Sequence, residues 1–106
     1  MPLSHELKIL RERRFERTRV NLRGTALFSD TSVAVKIIDL SYSGARLEFP
    51  LHASVYQSRG MTGLRIVDIL HLGIMWRWSR GRMAGVEFIS PTQLRDAISH
   101  LMATRE

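Results

Sequence analysis

Apolar and polar residues alternate through most of the chain. Val20, Leu22, Ala26 and Phe28, with Gly24 between them, fall two residues apart. A period of two is that of a strand with one face buried. It predicts a first strand over Val20 to Leu27. The cluster Ser29-Asp30-Thr31-Ser32 has turn composition. Val33 to Asp39 is rich in β-branched residues and predicts a second strand. Leu40 to Ser43 predicts a turn. Gly44 to Phe49 predicts a third strand, with Ala45, Leu47 and Phe49 on one face and Pro50 ending it. Farther on, Leu64 to Leu70 and Ile74 to Ser79 predict a hairpin around a turn at His71-Leu72-Gly73. Ile74, Trp76 and Trp78 are expected on one face of its second strand, and Arg77 on the other. Arg80-Gly81-Arg82 reads as a further turn and Met83 to Ile89 as the last strand. His52 to Gly63 carries two glycines and little periodicity beyond Val55-Tyr56.

The period changes to that of a helix at both ends. Ser90-Pro91 has the composition of an N-cap followed by a first helical residue. Leu94, Ala97, Ile98, Leu101 and Met102 then recur at helical spacing, predicting a C-terminal helix over about 91–103. Leu3, Leu7 and Leu10, with Ile9 beside them, predict a short N-terminal helix or arm within residues 1–12, too short to be stable alone. The expected division is this arm followed by one domain over residues 13–106. A chain of 106 residues supports one modest core. Several short strands followed by one amphipathic helix predict a mainly β fold, a small antiparallel barrel or sandwich with a helix against it. A barrel is favoured because closure removes exposed strand edges.

Charge adds a second layer. The net charge is +6, made from fourteen arginines and only two lysines, Lys8 and Lys36, against ten acids. Base composition of the gene accounts for such a total as readily as function does. It does not account for clustering: Arg11 to Arg19 holds five arginines and two glutamates, a local charge of +3. Guanidinium forks suit phosphates and the acceptor edge of guanine, and they stack on flat rings. There is no cysteine, hence no disulfide framework or thiolate metal site. No apolar run approaches the ~20 residues of a membrane helix, and the N-terminus lacks a signal-peptide core. A cytoplasmic chain without membrane insertion is expected.

Catalytic constellations are missing. His5, His52, His71 and His100 have no metal-ligand spacing, so no metal is expected. Ser41 has no histidine partner arranged for nucleophilic work, and there is no glycine-rich phosphate loop. No catalytic residue is predicted and an enzyme is not expected. Asp39-Leu40-Ser41-Tyr42-Ser43-Gly44 places an acid, a hydroxyl and a glycine in a predicted turn. Taken alone, it reads as turn chemistry: side chains bonded to backbone, and a glycine supplying positive φ.

Taken together, the two stretches say more. Arg13 and Arg17 form an RxxxR pair, and Asp39-x-Ser41-x-x-Gly44 follows about twenty residues later as DxSxxG. This pair of motifs resembles the signature of the PilZ domain family. The run Arg17-Thr18-Arg19-Val20-Asn21-Leu22 into a strand, Trp76 in a late strand, and Gly85-Val86-Glu87-Phe88 near the end are also similar to that family. The resemblance spans roughly Arg11 to Ile89. It implies a six-stranded antiparallel barrel with a C-terminal helix, and a receptor for the bacterial second messenger cyclic di-GMP. Arg13 and Arg17 would then bind phosphates and guanine edges, with Arg14 as an additional contact. Asp39 and Ser41 would help hold a guanine, and Gly44 would keep the turn in shape. No cofactor is implied beyond that ligand. With no effector domain in the chain, an unidentified protein effector would receive the signal through ordering of the arm. Two alternatives remain: a PilZ-like interaction module without nucleotide binding, and a small basic barrel for nucleic acid. Nucleic acid is the less expected, because the arginines cluster at one end of the chain instead of spreading over a face between aromatic platforms.

Overall fold

The computed structural model describes residues 18–66, 70–90, 92, 95 and 96. Six strands and one short helix follow in order: β1 (Thr18–Leu27), β2 (Ser32–Leu40), β3 (Gly44–Glu48), α1 (Ala53–Gln57), β4 (Gly63–Ile66), β5 (Leu70–Arg80) and β6 (Met83–Phe88). They close into an antiparallel barrel in the order β1-β2-β3-β6-β5-β4, with β4 returning to β1. Every strand therefore has two hydrogen-bonded neighbours, and no edge is left open to other chains. The expected N-terminal arm and the RxxxR arginines lie outside the described residues. So does nearly all of the expected C-terminal helix; within it, the Asp96 amide donates to the Thr92 carbonyl at 2.9 Å. No helix among the described residues is long and apolar enough to cross a membrane.

The alternation in the sequence is the alternation of the barrel wall. Val20, Leu22, Ala26 and Phe28 point inward, as do Val35 and Ile37, Ala45, Leu47 and Phe49, and Ala84, Val86 and Phe88. Between them Arg19, Asn21, Arg23 and Lys36 stay exposed. Burial of these apolar side chains, each Val, Leu, Ile or Phe contributing about 1.5–3 kcal/mol relative to exposure, is what drives closure.

Two expectations need correction, and one stretch without a reading gains one. His71-Leu72-Gly73 is not a turn. Gly63 pairs with Gly73, Leu64 with Leu72 and Ile66 with Leu70, so the reversal falls between Ile66 and Leu70. Leu72 is fully buried while His71 is exposed, which is strand alternation continuing through a histidine and a glycine of turn-like composition. Trp78 does not share a face with Ile74 and Trp76. The β5–β6 register shifts between Trp76, opposite Val86, and Trp78, opposite Gly85. This irregularity re-aims the later side chain: Trp76 packs against the core, whereas Trp78 is 44% exposed. Finally, His52 to Gly63 contains α1.

That helix closes one end of the barrel. Ala53 and Tyr56 are its buried residues. The Tyr56 ring stacks on Phe49 with centroids 4.7 Å apart, and Phe49 meets Trp76 at 5.6 Å. The Ala53 amide donates to Gly81 O at 2.7 Å and Ser79 Oγ to Gln57 Oε1 at 3.0 Å, tying α1 to the β5–β6 turn. Gly81 takes a φ of 58° in that turn, a conformation a side chain would resist. The opposite end of the barrel holds the start of β1 and the β2–β3 link.

Candidate functional site

β2 stops at Leu40 and β3 starts at Gly44, leaving three linking residues. The link is held from inside. The Ser41 amide donates to Gly44 O at 2.9 Å. Ser41 Oγ accepts from the amides of Ser43 and Gly44, both at 3.3 Å, and lies 3.0 Å from Ser43 Oγ. The hydroxyl thus satisfies two backbone donors that the tight link would otherwise leave unpaired. The link is also fastened to β6, where the Phe88 amide donates to Ser43 O at 2.8 Å. Gly44 departs from the positive-φ expectation: among the described glycines positive φ occurs only at Gly60 and Gly81. A Cβ on Gly44 would overlap the carbonyl oxygen of Val86. The glycine is required by close approach of two strands.

Asp39 is the one charged side chain buried among the described residues, at 4% exposure. In register it stands between Arg19 of β1 and Arg46 of β3. The β2–β3 register shifts between Ile37 and Asp39, and this brings Arg46 opposite the carboxylate. Arg46 donates from Nε to Oδ2 at 2.8 Å, and its Nη2 lies 2.6 Å from the same oxygen. Burying a carboxylate costs several kcal/mol without such compensation, and charge-assisted contacts of this length are the stronger class. Asp39 and Arg46 thus form one electrostatic unit, of which Arg46 is the half in contact with water.

Beside the link lies a cleft of about 230 Å³. Ser43 and Gly44 form one wall, Arg46 comes from β3, Arg77 and Trp78 from β5, and Gly85 and Glu87 from β6. Trp78 rests directly on the β6 backbone, since a Cβ at Gly85 would overlap its Nε1. Arg77 Nε sits 3.8 Å from Glu87 Oε1 across the cleft floor. The cleft therefore offers a wide indole, two guanidiniums and the link itself. Among the described residues no cluster of His, Cys, Asp and Glu could hold a metal ion.

Of the six residues singled out from the sequence, Asp39, Ser41 and Gly44 lie together at this end of the barrel. Arg13, Arg14 and Arg17 are outside the described residues. Two residues of the site went unread in the sequence, Arg46 and Trp78. The first depended on the β2–β3 pairing that sets Arg46 opposite Asp39. The second depended on the β5 register shift, which periodicity alone does not reveal.

The PilZ domain family model matches residues 11–103. The chain belongs to the PilZ domain family. PilZ domains are, as a family, receptors for cyclic di-GMP, and they are binding modules, not enzymes. Two solved structures are similar to this PilZ chain. An uncharacterized protein of Legionella shares 15% identity, covering 86% of this chain and 95% of its own, with a TM-score of 0.50. The PilZ domain of CeSA from a cellulose-synthesizing bacterium shares 20% identity, covering 84% of this chain and 96% of its own, with a TM-score of 0.49. At 15% identity the likeness to the Legionella protein is one of fold. No curated protein matches the sequence.

Proposed function

We propose that this PilZ domain is a cyclic di-GMP receptor that acts as an adaptor. The observation that carries the reading is the β1–β2 register: Thr18 pairs with Leu40 and Arg19 with Asp39. The chain preceding β1 therefore leads away from the same barrel end that displays the Asp39–Gly44 link. Arg17 is covalently next to Thr18, and Arg13 follows within about 18 Å of extended chain. That reach suffices for both motifs to touch one ligand.

The ligand chemistry asks for both. Each guanine presents O6 and N7 as adjacent acceptors, a match for an arginine fork. Its N1–H and N2–H₂ edge presents donors, a match for a carboxylate. Two phosphates add charge that Arg13, Arg14 and Arg17 would neutralise. Asp39 would accept from a guanine edge, while Ser41 and Gly44 keep the link in the shape that presents it. Trp78 gives a ring on which a base can stack. The cleft is smaller than the ~300–1,000 Å³ of a pocket for a whole drug-sized ligand, so it suits one base, with the arm covering the remainder. An empty arginine-rich arm repels itself, and a dianion removes that repulsion. Ordering of the arm over the barrel would be the signal, read by a protein partner.

Calorimetric titration with cyclic di-GMP tests the reading. Wild-type binding should weaken by one to two decades in Arg17→Ala, the loss expected when one charge-assisted contact of roughly 1.5–3 kcal/mol disappears. Absence of wild-type binding would leave the interaction-module alternative. Oligonucleotide binding that grows with strand length and falls steeply with salt would favour the nucleic-acid one.

A further inference from the structure

A second hollow lies on the outer wall of the barrel. It has a volume of about 280 Å³ and runs across β1, β2 and β3. None of the residues lining it belongs to either motif or to the cleft beside the link. Register explains its charge. Arg23 of β1 stands directly opposite Lys36 of β2, and Lys36 opposite Glu48 of β3. Like charges face to face on a sheet are destabilising, and the inward packing of Leu22 and Val35 beside them leaves neither strand free to slip. Among the described residues neither Arg23 nor Lys36 forms an ion pair. Arg82, in the β5–β6 turn, adds a third cation at the α1 end of the hollow. Its Nε donates to Phe49 O at 3.0 Å, and its Nη2 lies 4.0 Å from Glu48 Oε2. The hollow thus sets three cations against one acid, and that acid already faces Arg82.

We propose that this wall is a docking surface for an acidic, extended segment of a protein partner, seated with one small apolar side chain over Ala34. Charge complementarity commits the surface to an anionic occupant. Carboxylates of the segment relieve the repulsion between Arg23 and Lys36 and meet the anchored guanidinium of Arg82. Shape commits it to a peptide. Ala34 is exposed beside longer side chains, so it leaves a shallow seat, and Pro50 gives that seat an apolar rim. Three strands about 4.8 Å apart span roughly 10 Å, the length of about three extended residues. Closure of the barrel leaves no edge for strand addition, so side chains must carry the docking. A nucleic acid strand fits this face less well. Phe49, the aromatic residue that lines the hollow, is fully buried and offers no platform for a base. Glu48 would also repel regularly spaced phosphates. The docking does not depend on the cyclic di-GMP reading, yet it holds the partner close to that site. Arg23 lies along β1 from Arg19, which pairs with Asp39, at a distance of about 13 Å of strand.

An NMR titration of the isotope-labelled full chain, without cyclic di-GMP, tests the proposal. The probe is a blocked peptide of six glutamates with one central valine. Saturable shifts should be confined to the amides of residues 21–25, 34–37 and 47–49. Arg23→Glu should weaken binding roughly tenfold. It should melt no lower than wild type, because it turns a repulsive cross-strand pair into an attractive one; loss of folding then does not explain loss of binding. Arg59→Glu makes the same change in net charge at an exposed position outside the hollow, and should leave binding within about twofold. Exchanging the valine of the peptide for serine should weaken binding about fivefold, the worth of one small buried apolar side chain. Absence of shifts at these residues would overturn the proposal. So would undiminished binding by Arg23→Glu or by the serine peptide, or an equal loss in Arg59→Glu. An oligothymidylate that moves the same amides at lower concentration than the peptide would also overturn it and give the wall to nucleic acid. None of these outcomes bears on the receptor reading, because cyclic di-GMP takes no part in the experiment.

Discussion

At the scale of single residues, the site is built from groups with structural duties of their own. Gly44 is needed because β3 and β6 approach too closely for a side chain there. Gly44→Ala should therefore destabilise the fold by roughly 2 kcal/mol or more, the cost of forcing packed elements apart, seen as a drop in thermal midpoint of about 8 °C or more. Asp39 is buried against Arg46. Removing Arg46 takes both guanidinium contacts from a buried carboxylate; breaking a fully enclosed pair costs about 3–5 kcal/mol. Because Arg46 is 41% exposed, water can partly replace it, and Arg46→Ala should cost about 2 kcal/mol by urea denaturation. Trp78 is the contrasting case. It is half exposed and rests on Gly85, so Trp78→Ala should change stability little while weakening cyclic di-GMP binding roughly tenfold in a titration, the worth of one base–aromatic stack.

Elements show which parts of the fold were legible in the sequence. β1, β2, β3 and β6 were, because each is an apolar or β-branched run bounded by strong turn residues or by Pro50, and β1 alternates as well. β5 was not. Its inward Leu72 is flanked by His71 and Gly73, whose composition imitates a turn, and its register shift reverses the orientation of Trp78. Both effects arise from pairing with distant strands, and no local window contains them. α1 was missed for a related reason. Five residues are too few to show a helical period, and its stability comes from the Tyr56–Phe49 stack and the bond from Ala53 to Gly81. Tyr56→Ala should therefore behave as a core truncation, costing about 3–5 kcal/mol in chemical denaturation, although the residue sits in an apparent loop. In the site, the DxSxxG motif was readable as a motif. Its physical content was not: Gly44 serves approach to β6, not turn conformation, and the partner of Asp39 comes from across the β2–β3 pair.

At the scale of the whole molecule, closure separates two ends with different tasks. One is plugged by α1 and the cluster of Phe49, Tyr56 and Trp76. The other carries the Asp39–Gly44 link, its cleft and the start of β1. A rigid barrel with its chemistry at one end suits a receptor whose response is made by a segment outside the barrel, because the scaffold need not deform to signal. The central claim is that one ligand engages the arginine arm and the link at once. Hydrogen–deuterium exchange with and without saturating cyclic di-GMP tests this most directly. The account predicts increased protection at residues 8–20 together with residues 39–46, both following the same ligand saturation curve. Protection confined to one of these segments, or absent from both at saturation, would contradict it.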